Sequence, residues 1–171
     1  TREREPGTIM AKLTETEWIW RDGELVRWQD ATLHVLSTAV QFGSSVFEGI
    51  RCYETDKGSA VFRLPEHMRR LIDSARIYRM DSPYDLDALQ AATLQTIANS
   101  GLPSCYIRPV IYRGTGSMGV NPLKNTIETF IAVWEWGAYL GAEALEEGVG
   151  LPVALVRALV QGVDLSEVDS G

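Results

Sequence analysis

Phe42-Gly43-Ser44-Ser45-Val46-Phe47-Glu48-Gly49-Ile50-Arg51-Cys52-Tyr53 is the stretch around which the chain is organised. A Gly-Ser-Ser turn leads directly into a β-type run, and Gly49 interrupts that run between Phe47 and Arg51. Glycine inside a strand costs stability and marks a bulge or a close approach by backbone or ligand. With a cation and aromatics beside it, the run suits a strand whose edge lines a pocket for an anionic molecule. A kinked, half-buried core strand satisfies the same residues equally well.

The flanking sequence supplies hairpins and helices. Trp18-Ile19-Trp20, Asp22-Gly23 and Leu25-Val26 read as a β-hairpin, because Asp-Gly provides the left-handed turn residues. Ala31 to Val40 fits a strand or a short turn. Asp56-Lys57-Gly58 turns the chain into Ala60-Val61-Phe62-Arg63, and Pro65 then opens a helix, where its missing N–H is harmless. Met68, Leu71, Ile72, Ala75 and Arg79 share one face of that helix at helical spacing. Ser82-Pro83-Tyr84-Asp85 reads as a capping box for a second helix with Leu86, Leu89, Thr93 and Ile97 inward and Gly101 at its end. Ser104 to Tyr112 and Thr126 to Trp134 are long strand patterns; the second is almost wholly apolar and therefore central. Two hairpin layers and two helices make an α+β open sandwich.

Composition narrows the function. At 171 residues with 45% apolar side chains, the chain is one domain, or one domain with an appendage. No apolar run reaches the roughly 18 residues of a membrane span. The net charge is −7, and residues 1–124 balance 15 basic against 15 acidic side chains. No basic stripe exists for nucleic acid, so the central arginines fit local anion binding. Cys52 and Cys105 lie far apart without CxxC spacing and read as buried free thiols of a cytoplasmic protein. Only His34 and His67 offer imidazoles, which argues against a metal site.

Five segments together resemble a known family. They are the Phe42–Tyr53 stretch, Phe62-Arg-Leu-Pro-Glu-His-Met-Arg-Arg-Leu71, Cys105-Tyr-Ile-Arg-Pro109, Gly116-Ser-Met-Gly-Val-Asn-Pro122 and Trp134-Glu-Trp-Gly-Ala-Tyr-Leu-Gly141. In that order and spacing they resemble the N-terminal small domain of the branched-chain amino-acid aminotransferases. These are class IV, pyridoxal-phosphate-dependent enzymes that share a fold with D-amino-acid aminotransferases and aminodeoxychorismate lyases. The resemblance implies transfer of an amino group between leucine, isoleucine or valine and 2-oxoglutarate, in a homo-oligomer that is a dimer or higher. It implies that Arg70 contacts the cofactor phosphate. Phe47 and Gly49 would shape the side-chain pocket, and Phe42 would stand where the family more often has tyrosine, in a loop that reaches into the partner subunit's site. Tyr106 and Arg108, two apart on one strand and so on one face, would hold the substrate carboxylate region. Met118, Gly119 and Val120 would belong to a loop closing over substrate, and Trp136 and Tyr139 to an aromatic wall.

The family's cofactor lysine follows the Trp-Gly-Ala-Tyr motif by about thirty residues, in an Ala-Lys-x-Gly-Gly-Asn context. This chain has lysine only at 12, 57 and 124, none in that context. No catalytic residue is therefore assigned, and the 171-residue chain alone is expected to be inactive. The expected organisation is a leader over 1–16, the small domain over 17–148, and a divergent tail over 149–171 in place of the start of the large domain. Truncation or a frame shift, an incomplete or poorly assigned sequence, or a genuine substitute element all account for that tail. Two rivals remain open: a non-catalytic dimerisation module, and a D-amino-acid aminotransferase or aminodeoxychorismate lyase of the same fold.

Overall fold

The computed structural model describes residues 14–116 and 121–135. They all belong to one of the chain's two compact units, Leu13–Trp136. Strands β1 (Trp18–Arg21) and β2 (Glu24–Arg27) form the first hairpin. Asp22 and Gly23 turn it, with φ of 47° and 103°, as the Asp-Gly pair demands. Asp22 also docks the turn on a neighbouring strand. Its carboxylate accepts from the Thr129 amide at 2.8 Å, and its own amide donates to the Thr129 carbonyl at 3.0 Å.

Ala31 to Val40 is neither a strand nor a simple turn. A 3-10 turn at Trp28–Asp30 precedes it, and a short helix, α1 (Thr38–Phe42), closes it. Ser37 caps α1 by accepting from the Val40 amide, and Gly43 ends it at φ 67°. The serine cap and the glycine stop outweigh the β-type appearance of Leu33–Val35. The organising stretch then breaks where Gly49 predicts. Strand β3 (Ser45–Phe47) stops at Glu48, and β4 (Ile50–Thr55) begins after Gly49 and turns into β5 (Gly58–Val61).

Helix α2 (Leu64–Ile77) carries Pro65 in its first turn and buries Met68, Leu71 and Ala75 completely. Arg79 does not continue that face. The helix ends at Ile77, and Arg79 adopts φ 53°, with its carbonyl accepting from Arg113 Nη2 at 2.7 Å. Helix α3 (Leu86–Ser100) is capped by Asp85, whose carboxylate accepts from the Ala88 amide at 2.8 Å. Ser82 instead holds its own turn through the Tyr84 amide, so the reciprocal capping box is absent. Leu89, Thr93 and Ile97 are buried as their spacing predicts, and Gly101 ends the helix at φ 69°.

Strands β6 (Cys105–Arg113) and β7 (Ile127–Trp134) complete the fold. The hairpins are not separate layers. Among the described residues they join one antiparallel sheet of seven strands, in the order β2-β1-β7-β6-β4-β5, with β3 also paired to β6. The central place of β7 follows from its apolar sequence, since it is paired on both sides and buried beneath the helices. Ile50, Cys52, Cys105, Ile107, Ile111, Ile131 and Val133 point into one core with Met68, Leu71 and Leu89. Because side chains alternate along a strand, the other face of the sheet carries Phe47, Tyr106, Arg108 and Trp134. The two cysteines, 53 positions apart in sequence, are directly opposed in register on β4 and β6, buried and free. Burial pushes both thiols up, Cys105 to about 12.

Candidate functional site

The outward face of β3, β6 and β7 gathers the first group of candidate site residues. Phe47 is opposite Val110, and Tyr106 is flanked by Arg51 on β4 and Trp134 on β7. Tyr106 and Trp134 pack with ring centroids 4.8 Å apart. Arg108 lies over all three aromatic rings, its Cζ 4.3 Å from the Phe47 centroid, 5.2 Å from Tyr106 and 5.9 Å from Trp134. Its Nη2 donates to the Tyr106 hydroxyl at 2.9 Å. Its Nε is buried and has no hydrogen-bond partner among the described residues. Ring faces attract a guanidinium, but they do not satisfy its N–H groups as an oxygen anion does. The arrangement is therefore a cation fixed in an aromatic box and suited to a carboxylate.

Gly49 opens the space beside it. A Cβ on Gly49 would lie 2.3 Å from the Tyr106 hydroxyl oxygen and 3.2 Å from its Cζ. Only a residue without a side chain lets the tyrosine ring lie across the break between β3 and β4. Phe47, 58% exposed, continues this surface as an apolar wall.

The second group joins the strand break to α2. Glu48 turns inward between Phe47 and Gly49 and is 6% exposed. Its carboxylate accepts from Arg70 Nε at 2.6 Å and Nη2 at 2.5 Å, and stands 2.9 Å from His67 Nδ1. Burial pushes the Glu48 carboxyl up. The hydrogen bonds and charges of Arg70 and His67 outweigh this and hold it below the ordinary value. Arg70 lies in the second turn of α2, beyond the free amides of the first turn, so only its guanidinium is available to an anion. That side chain is 66% exposed. Glu48 occupies the Nε–Nη2 edge, and Nη1 has no partner among the described residues. The donor set fits a phosphate at the open end of the fork.

The structure thus brings Phe47, Gly49, Tyr106 and Arg108 together and links Arg70 to them through Glu48. Phe42 stands at the end of α1 and is 76% exposed. Met118, Gly119, Val120, Trp136 and Tyr139 lie outside the described residues. Sequence reasoning missed Trp134 and Glu48. The two-residue alternation on β7 could have placed Trp134 beside Tyr106. Glu48 carried a weaker signal, an acidic residue alone in an aromatic and apolar run.

A comparison with known proteins matches the family described as Amino-transferase class IV over residues 45–161, more than half of the chain. The branched-chain-amino-acid aminotransferase of Salmonella typhimurium is 50% identical over 141 residues, which are 82% of this chain and 46% of that protein. The chain therefore spans about half the length of the curated relatives it matches. Among solved structures, the Escherichia coli branched-chain amino acid aminotransferase superposes with a TM-score of 0.72 at 51% identity, covering 76% of this chain and 43% of that one. The enzyme from Thermobaculum terrenum, solved in its PLP form, matches with a TM-score of 0.65 at 26% identity, over 75% of this chain and 43% of that one. Fold and sequence agree, and the chain belongs to the class IV aminotransferases.

Proposed function

We propose that this chain forms the small-domain half of a branched-chain amino-acid aminotransferase. The protein carrying it would transfer the amino group between leucine, isoleucine or valine and 2-oxoglutarate. The observation that carries the reading is Arg108 in its box of Phe47, Tyr106 and Trp134, beside the notch at Gly49. A carboxylate receptor next to an apolar wall suits an amino acid with an aliphatic side chain. Such a wall separates aliphatic substrates in modest steps, about 1–3 kcal/mol per methylene.

Bound pyridoxal 5′-phosphate would supply the electron sink of the reaction. This chain's residues would bind and orient. Arg70 would hold the phosphate, and Arg108, steadied by the Tyr106 hydroxyl, would hold a substrate carboxylate. Phe47 and Gly49 would set the size of the side chain admitted. Met118, Gly119, Val120, Trp136 and Tyr139 would close the pocket by resemblance. The proton-shuttling lysine is not supplied by Lys12, Lys57 or Lys124.

The domain proposed for residues 17–148 would also associate with a second copy. Leu33, Val35, Leu36, Val40 and Phe42 are exposed in one short segment, a concentration of apolar surface that suits an interface. Among the described residues, no helix is long and apolar enough to cross a membrane. The proposed location is cytoplasmic, which suits two free thiols opposed in register.

The test is transamination by the natural protein carrying this chain. Leucine, isoleucine and valine with 2-oxoglutarate should be turned over, and D-alanine should not. Turnover of D-alanine without leucine would move the protein to the D-amino-acid enzymes of the same fold.

A further inference from the structure

We infer that Glu48 is a positioning residue: it aims Arg70 at the cofactor phosphate and ties that aim to the wall of the substrate pocket. The inference rests on the proposed phosphate role of Arg70 and assigns a part to a residue that role does not mention.

The geometry is specific. Arg70 is a surface side chain on α2, and a long, exposed guanidinium has many rotamers to lose on binding. Glu48 removes that freedom. Its two oxygens accept from Nε and Nη2 at 2.6 and 2.5 Å, the planar fork-to-carboxylate pairing that fixes both distance and plane. The edge left outward is the one ending in Nη1. Glu48 is itself held. It is 6% exposed, its amide donates to the Pro109 carbonyl at 3.2 Å, and His67 meets its second oxygen at 2.9 Å. A buried carboxylate, tied to the sheet through its own amide and to α2 through His67, thus sets the direction of an arginine on that helix.

Its place in sequence gives the second consequence. Glu48 lies between Phe47 and Gly49, whose outward sides form the apolar wall and the notch over Tyr106. Its amide is bonded to Pro109, next to Arg108. Movement of the strand break would therefore move the arginine fork and the substrate wall together. A lysine in place of Arg70 would keep the charge and lose the coupling, because an ammonium has no fixed edge to present.

The experiment compares two probes in the natural protein carrying this chain: pyridoxal 5′-phosphate and pyridoxal, which lacks the phosphate. Dissociation constants are read from cofactor absorbance, with thermal melts and circular dichroism run on each variant. Glu48→Gln should weaken the phosphorylated probe roughly tenfold, the scale on which an orienting partner acts on the ligand it orients. It should leave pyridoxal unchanged. Glu48→Asp, which keeps the charge one methylene short, should fall between. A general loosening of the fold would weaken both probes alike, and that result would overturn the inference. Arg70→Met separates the inference from the reading beneath it. If Arg70→Met lowers the preference for the phosphorylated probe and Glu48→Gln does not, the positioning role fails alone. If neither changes it, the phosphate role of Arg70 fails, and the inference fails with it. If both Glu48 variants fail to fold, Glu48 serves the fold, and the inference is overturned.

Discussion

Adding one methyl group at Gly49 tests the geometry of the site most directly. The backbone there is not in the left-handed region, so alanine meets no conformational penalty of its own. The cost comes from what the methyl meets. Its carbon would stand 2.3 Å from the Tyr106 hydroxyl oxygen and 3.2 Å from Cζ. Contact between carbon and oxygen begins near 3.4 Å, so the ring must shift by about 1 Å. It cannot tip freely, because Trp134 packs on it at 4.8 Å and Arg108 holds its hydroxyl at 2.9 Å. Overpacking at such a site costs about 1–3 kcal/mol, and the shift also costs the Arg108 bond, worth about 1 kcal/mol net. Gly49→Ala is therefore expected to lose about 2–4 kcal/mol of stability, seen as a thermal midpoint lower by roughly 5–15 °C. Tyr106→Phe removes the oxygen that clashes and leaves only the 3.2 Å approach to Cζ. The double variant Gly49→Ala/Tyr106→Phe should then be more stable than the sum of the single changes predicts, by about 1 kcal/mol in a double-mutant cycle. Thermal and urea unfolding of the four proteins supply the cycle. Strict additivity, or a Gly49→Ala protein as stable as the parent, would refute the proposed contact between glycine and tyrosine.

The remaining predictions concern charge and burial. Glu48 and Glu128 are both pushed up by burial. Both are held below the ordinary value by their partners, Arg70 and His67 for the first and Tyr112, Arg21 and Thr126 for the second. A depressed folded-state pKa contributes stability that is full above the ordinary value of 4.5 and lost as pH falls through the folded value. Stability should therefore fall on acidification below about pH 4.5, and Glu48→Gln should flatten that slope in urea titrations run across pH. Asp22 works the other way, since burial raises its carboxyl, so its share is present at low pH and shrinks as pH rises. Arg113 is 3% exposed and donates to the carbonyls of Pro122 and Arg79 at 2.9 and 2.7 Å. Arg113→Ala should cost about 3 kcal/mol in a thermal melt, because hydrogen bonds from a charged donor contribute roughly 1.5–3 kcal/mol. Cys52 and Cys105 are 1% exposed with raised pKa values, so iodoacetamide should label them only as the protein unfolds. Native labelling at the rate of a free thiol, read by mass, would contradict the buried β4–β6 pair. The 171-residue chain by itself should show no leucine transamination, because none of its lysines stands in the cofactor-lysine context.

Local chemistry made much of this protein legible in advance. Asp22-Gly23, Lys57-Gly58 and Gly101 mark turns and a helix end through the backbone freedom of glycine, and Pro65 marks a helix start through its fixed φ and missing N–H. The alternation along Cys105–Arg113 and Ile127–Trp134 marks a strand face for the same reason. Those signals carried the hairpins, both long helices, the break at Gly49 and the shared face of Tyr106 and Arg108. They misread the segment before Phe42, where a serine cap and a glycine stop form a helix too short for any periodicity to appear. What only the tertiary structure decided is pairing. Glu48 meets Arg70 across 22 residues, Cys52 faces Cys105 across 53, and Arg108 lies over Phe47 and Trp134 from neighbouring strands. Each of these depends on strand register, and register is set by which whole face of a strand must be buried. One residue of slip would turn Tyr106 and Arg108 into the core and Ile107 out to solvent. No short window of sequence contains that choice, because it is made by the summed burial of strands and helices distant along the chain.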